Sequence, residues 1–86
     1  MILDFFSSSF CDPCIQTRSV LADVKRMVPA VEIRDMDVAR YNDLAADANI
    51  RSTPTIIVRS ADGTEVFRAE GVPNTNQVLV ALTKAL

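Results

Sequence analysis

Apolar residues along this chain fall into segments whose spacing switches between the period of a strand and that of a helix. Ile2 to Phe6 is a nearly unbroken apolar run with Asp4 as its one interruption, which suits a central strand buried on both faces. Ser7-Ser8-Ser9 follows as a polar loop. Cys14, Leu21, Val24 and Val28 then recur at helical spacing, and Ile15, Val20 and Met27 widen the stripe until Pro29 stops it. A first helix is therefore predicted over about residues 13–28. Val31 to Met36 alternates apolar and polar residues and reads as a second strand. Asp37 can cap a following helix in which Tyr41, Leu44, Ala45 and Ala48 form an apolar stripe, with Asn49 as its C-terminal cap. Thr55 to Val58 is a third strand, Ala61-Asp62-Gly63-Thr64 signals a hairpin, and Glu65 to Ala69 is the returning strand. Gly71-Val72-Pro73 breaks the chain once more. Asn74 and Gln77 resemble a capping box for a last helix whose inner face is Val78, Leu79, Leu82 and Leu86. The order is β-α-β-α-β-β-α: a right-handed parallel crossover followed by an antiparallel hairpin with its own covering helix.

Between the first strand and the first helix stands Phe10-Cys11-Asp12-Pro13-Cys14, which holds the only two cysteines of the chain. Residues i and i+3 in the first turn of a helix share a face, close enough for two sulfurs to bond without a large backbone shift. Unpaired N–H groups and a partial positive charge at the helix N-terminus stabilise a thiolate, and Cys11 at the tip gains most. Cys11 is thus assigned as the attacking nucleophile and Cys14, one turn inside, as the resolving thiol. Pro13 suits the first helical turn, where its missing N–H costs nothing. No histidine is present, which excludes a Cys/His nucleophile pair. Two thiolates fall short of the four ligands of a structural zinc, so no metal site is expected. Taken alone, the pair is still compatible with half of an intermolecular zinc site, a structural disulfide or chance spacing.

Eighty-six residues suit a single domain spanning 1–86. Apolar residues make up 49% and charged residues 23%, which is globular composition and argues against disorder. The net charge is −2 with both signs interspersed, so no basic face for nucleic acid is expected. The apolar runs are far shorter than a membrane span, and Met1 leads straight into a strand with no pattern of a secretory signal. These features predict a cytoplasmic monomer with no membrane association. In that reducing compartment a free CxxC pair is more often catalytic than structural.

The element order, with Cys11-Asp12-Pro13-Cys14 after the first strand and Ile50-Arg51-Ser52-Thr53-Pro54-Thr55 opening the third, resembles the thioredoxin superfamily along essentially the whole chain. The Asp62-Gly63 hairpin and Gly71 before the last helix add to the likeness. The resemblance implies a thioredoxin-like α/β fold in its short form, a four-stranded mixed sheet flanked by three helices. It also implies a thiol–disulfide oxidoreductase that reduces protein disulfides. Such an enzyme binds no cofactor and is recharged by a thioredoxin-reductase-like flavoprotein drawing on NADPH. Carried over by position, Pro54 is a cis-proline beside the dithiol and Thr53 the residue whose backbone pairs with an extended substrate. Phe10, Thr53, Pro54 and Val72, with Gly71 before the last of these, would form a rim that docks partners.

Departures from the family pattern are specific. The extra strand and helix that open full-length thioredoxins are absent from this sequence, as in glutaredoxins and small thioredoxin-like proteins of archaea and phages. Phe10 replaces the usual tryptophan, and Asp12-Pro13 the usual Gly-Pro. The paired glycines and following aspartate with which glutaredoxins hold glutathione are not visible around Gly71-Val72-Pro73, so a glutathione-dependent glutaredoxin is the second reading and a redox-responsive binding module without turnover the third. Thioredoxins also keep a buried aspartate on the strand leading to the dithiol, which relays a proton to the resolving cysteine. Asp4 lies on that strand but seven residues before Cys11, one more than the family spacing. Either the serine loop absorbs the extra residue and Asp4 supports the dithiol, or it does not and Asp4 faces the other side.

Overall fold

The computed structural model describes residues 1–86, with β1 (Ile2–Ser7), α1 (Asp12–Met27), β2 (Glu32–Asp37), α2 (Asn42–Asp47), β3 (Thr55–Arg59), β4 (Glu65–Glu70) and α3 (Thr75–Thr83) in chain order. The sheet is ordered β2-β1-β3-β4, with β1 parallel to β2 and antiparallel to β3, and β3 antiparallel to β4. It is the four-stranded mixed sheet with three helices that the sequence predicts. No helix is long and apolar enough to cross a membrane.

Because successive residues of a strand point to opposite faces, β1 feeds two separate cores. Leu3 and Phe5 join Leu21 and Val24 of α1, Ile56 and Val58 of β3, and Val78 and Leu82 of α3 in a cluster of 12 buried residues that also holds Cys14. Phe6 faces the other way and packs with Met36, Ala45 and Ile57 under α2. Each fully buried Val, Leu, Ile or Phe side chain among them stabilises the fold by roughly 1.5–3 kcal/mol.

Helix α1 begins where Cys11 caps it and Pro13 fills its first turn, and it stops at Val28, whose N–H donates to the Val24 carbonyl. Lys25 then donates to the carbonyls of Pro29 and Val31 and ties the exit of the helix to the start of β2. The stripe is narrower than the sequence predicts. Ile15 and Met27 are exposed, and Thr17 is fully buried in their stead because its hydroxyl is satisfied by the Pro13 carbonyl at 2.9 Å. At α3 the capping box forms as expected, with Asn74 and Gln77 bonding each other's backbone at 2.8 and 3.0 Å. Leu86 is exposed, however, since α3 ends at Thr83, and the small residues Ala81 and Ala85 complete the buried face.

The second helix differs most from expectation. Asp37 accepts from the N–H groups of Ala39 and Arg40, so it caps a turn ahead of α2 and not the helix itself. Tyr41 occupies the N-cap with no side-chain bond, and only Asn42–Asp47 is helical. With so short a helix, Tyr41 and Leu44 remain exposed while Ala45 is buried. Asn49 adopts a left-handed φ of 57° just past the helix, as a C-terminal cap should.

Candidate active site

The loop after β1 and the N-terminus of α1 bring the two cysteines together. Cys11 and Cys14 are joined as a disulfide with a Cα–Cα distance of 5.2 Å. Cys14 is buried, at 1% exposure, within the larger core, whereas Cys11 is half-exposed at the tip of the helix. The Sγ of Cys11 accepts a hydrogen bond from the Cys14 backbone N–H at 3.1 Å. A thiolate at Cys11 therefore meets a backbone donor and the positive end of a 16-residue helix. Asp12 and Pro13 are exposed beside it. The Asp12 carboxylate suits the helix N-terminus but repels an adjacent thiolate.

Phe10 precedes Cys11 at φ 56°, a left-handed conformation uncommon for a bulky residue, and its ring is fully exposed. Across from it, Thr53 and Pro54 are joined by a cis peptide bond, and the Thr53 hydroxyl lies 3.9 Å from Cys11 Sγ. The backbone N–H and C=O of Thr53 make no hydrogen bond within the chain, which leaves a short free edge next to the disulfide. Pro54 is itself buried, a correction to its expected place on the rim. Its carbonyl accepts from the Gly71 N–H at 2.9 Å and so holds the Gly71-Val72 turn, at a Gly71 φ of 85°, alongside this edge. Val72 is half-exposed. Next to it, Glu70 accepts from Arg51 at 2.9 Å and from Ser52, and the Arg51 hydrogen bond is the main cause that holds its carboxyl below the usual range. The structure thus places Thr53 beside the Cys11 sulfur, with Phe10 next to Cys11 in the chain and Gly71-Val72 held against Pro54. No group of three or more Cys, Asp or Glu side chains is placed to hold a metal ion.

Asp4 is not part of this arrangement. It is 97% buried as a side chain but shares the α2 face with Phe6, where Arg34 of β2 grips both its oxygens at 2.5 and 2.9 Å and Arg59 of β3 donates at 3.0 Å. The hydrogen bond to Asp4 is the main cause that raises the Arg34 pKa above its usual value. The serine loop does not absorb the extra residue. The position six residues before Cys11 is Phe5, and it is Phe5 that shares the core with Cys14. Of the buried polar side chains Asp4, Ser7, Thr17 and Thr55, only Asp4 is a charged residue type and it faces α2, so the Cys14 side of the sheet carries no buried carboxylate, lysine or arginine. Sequence reasoning also missed Ser8, whose hydroxyl lies 2.7 Å from that of Thr53. Nothing in a run of three serines marks which one turns inward.

A mixed sheet that presents a CxxC disulfide at a helix N-terminus, opposite a cis-proline, defines the class of thioredoxin-fold dithiol proteins. The family model for thioredoxin matches residues 1–85, and the chain belongs to the thioredoxin family. Thioredoxin H-type 1 of Nicotiana tabacum is 32% identical over 66 residues, which cover 77% of this chain and 52% of that protein. The chain thus spans about half the length of the curated relative it matches. The structure of Fasciola hepatica thioredoxin superposes over 99% of this chain and 80% of its own at 26% identity and a TM-score of 0.83. Thioredoxin-2 of the malaria parasite reaches a TM-score of 0.88 over 96% of this chain and 81% of its own, and at 19% identity it speaks for the fold alone.

Proposed function

We propose that this protein is a thiol–disulfide oxidoreductase that reduces protein disulfides in the cytoplasm, with Cys11 as nucleophile and Cys14 as resolving thiol. The observation that carries this reading is the asymmetry of the pair: Cys11 is half-exposed at the helix tip and Cys14 is 1% exposed beneath it. In the reduced state the Cys11 thiolate attacks one sulfur of a substrate disulfide, and the other substrate sulfur leaves as a thiolate that takes from solvent the proton Cys11 released on ionising. Cys14 then gives up its proton and attacks Cys11 Sγ. The second substrate sulfur departs as a thiol, and the Cys11–Cys14 disulfide closes, two electrons having passed to the substrate. With no buried acid or base on the Cys14 side, the proton that Cys14 gives up passes, as it attacks, to the substrate sulfur it displaces.

The free backbone edge of Thr53 supports binding of an extended substrate segment by main-chain hydrogen bonds, with Phe10 and Val72 supplying apolar contact on either side. A thioredoxin-reductase-type flavoprotein using NADPH then restores the dithiol. Around Gly71-Val72-Pro73 a single glycine stands where glutathione recognition in glutaredoxins uses a pair, so glutathione is a poor donor in this reading. Insulin reduction tests it, run once with thioredoxin reductase and NADPH and once with glutathione. Repeated turnover with the reductase supports the proposal, efficient turnover with glutathione alone replaces it with a glutaredoxin, and no turnover with either leaves a redox-responsive binding module.

A further inference from the structure

Two donors reach Cys11 Sγ: the Cys14 backbone N–H at 3.1 Å and the Thr53 hydroxyl at 3.9 Å. The Thr53 hydroxyl is in turn 2.7 Å from the Ser8 hydroxyl. A hydroxyl carries one hydrogen, and a disulfide sulfur or a thiolate has none to offer. When Thr53 donates to sulfur, its contact with Ser8 must therefore run the other way, from Ser8 O–H to Thr53 Oγ1. The order Ser8 to Thr53 to Cys11 is fixed by counting protons. Ser8 is half-buried, and its side chain has no other partner, so Thr53 is the one group it serves.

From this geometry we infer that Ser8 and Thr53 form a hydroxyl chain that stabilises the Cys11 thiolate, with Thr53 touching the reacting sulfur and Ser8 acting as a positioning residue through it. The inference rests on the proposed cycling of the Cys11–Cys14 pair and deepens it. A disulfide sulfur is a weak acceptor, and the contact is long in the oxidised form described here. Reduction places a full negative charge on the same atom. A hydrogen bond to a charged acceptor is shorter and about twice as strong, and a second hydroxyl behind the donor polarises it further. Catalytic contacts of this kind commonly tighten when charge develops. Ser8, Thr53 and Cys11 are all partly exposed, whereas no buried acid or base stands on the Cys14 side. Both hydrogen-bond donors to the sulfurs of this pair thus reach Cys11, and none reaches the Cys14 sulfur.

The test is the pH dependence of alkylation of Cys11 in the reduced protein, resolved by mass spectrometry, for Thr53→Val, Ser8→Ala and the double variant. Thr53→Val keeps the shape and removes the hydroxyl. It should raise the Cys11 pKa and slow alkylation below the wild-type pKa by about threefold to tenfold. Ser8→Ala should slow it by about twofold to threefold, and Thr53→Ser should restore near-wild-type behaviour. In the double variant, loss of Ser8 should add nothing to the loss of Thr53, because Ser8 acts only through that hydroxyl. A merely structural Ser8 would lower unfolding stability and leave the thiol titration where it is, and that result would overturn the inference. So would an unchanged pKa in Thr53→Val, or a Ser8 effect that persists without the Thr53 hydroxyl. Since alkylation needs neither substrate nor reductase, failure of insulin reduction with an intact pKa pattern would count against the proposed activity and leave the hydroxyl chain standing.

Discussion

The two faces of β1 use buried polarity in opposite ways. Toward α1 and α3, Leu3 and Phe5 are apolar, Cys14 is embedded among them, and no charged side chain is buried. Toward α2, Asp4 is buried in the grip of two arginines, and the short helix above leaves an open cavity of about 370 Å³ lined in part by Asp4, Arg34, Arg59 and Leu44. The reactive face is thus electrostatically quiet inside, and the charged face is remote from the reaction. Alternation along a strand makes such a division abrupt, because a shift of one residue exchanges the faces. In this chain Asp4 pairs with Arg34 and Arg59 on the face away from Cys14, and in the proposed chemistry the groups that act on Cys11 are the helix end and the hydroxyls beside it.

Removing the carboxylate from the charged face should have the largest effect. Asp4→Ala leaves two guanidinium groups packed together without their acceptor, and the loss of stability should be about 3 kcal/mol, near the low end for a broken buried pair because Arg34 remains half-exposed. Denaturant unfolding measures this, and replacing Asp4, Arg34 and Arg59 together with apolar residues should recover most of it. A neutral Asp4→Ala would show that the cluster contributes little and would break the comparison at its charged side. On the reactive face, Asn74→Ala opens the capping box of α3 and should cost about 1 kcal/mol, again by denaturant unfolding, without changing the alkylation rate of Cys11.

Asp12 sharpens the account of the nucleophile. At about 6 Å in a near-aqueous dielectric its repulsion of a Cys11 thiolate is on the order of 0.7 kcal/mol, or about half a pKa unit. Asp12→Asn should lower the Cys11 pKa by that amount, as read from thiolate ultraviolet absorbance at low salt, and should make the redox potential less negative. A rise would mean that Asp12 supports the thiolate through local structure.

The smallest effect concerns acid. In the β3–β4 hairpin, the Ser60 hydroxyl, ahead of the Thr64 backbone N–H, holds the Asp62 carboxyl down to about 2 from an ordinary 3.8. Glu65 is lowered chiefly by Arg68, and Glu70 by Arg51. Groups whose pKa is depressed on folding contribute stability that is complete above their unfolded values and is lost as pH falls through the folded ones. Stability should therefore decline between about pH 5 and pH 2, and Ser60→Ala should weaken the lower part of that decline in an acid unfolding series.

How far the sequence carried the structure depended on what each feature needs. The strands, α1 and α3 were legible because each has a strong period and local punctuation, such as Pro29 after α1 and the Asn74–Gln77 box before α3. The extent of α2 was not, since Asp37 satisfies local N–H groups equally well in a turn. The cysteines and the Thr53-Pro54 step could be read as a site because their spacing carries the chemistry. The side on which Asp4 falls was open, because it depends on how three serines turn. Counting back six residues from Cys11 to Phe5 was the signal available. The role of Ser8 is a contact over 45 positions, which no local pattern encodes.

The division between the two faces is tested most directly by the pH profile of Cys11 alkylation in reduced wild type and in Asp4→Asn, read residue by residue with mass spectrometry. The account predicts that Cys11 reacts with a pKa below that of a free cysteine and that Cys14 is nearly inert. It also predicts that the two profiles superimpose within about 0.2 pH unit, since Asp4 lies on the opposite face of the sheet from Cys14 and bonds only Arg34 and Arg59. Equal reactivity of the two thiols, or a profile in Asp4→Asn displaced by half a unit or more, would contradict it.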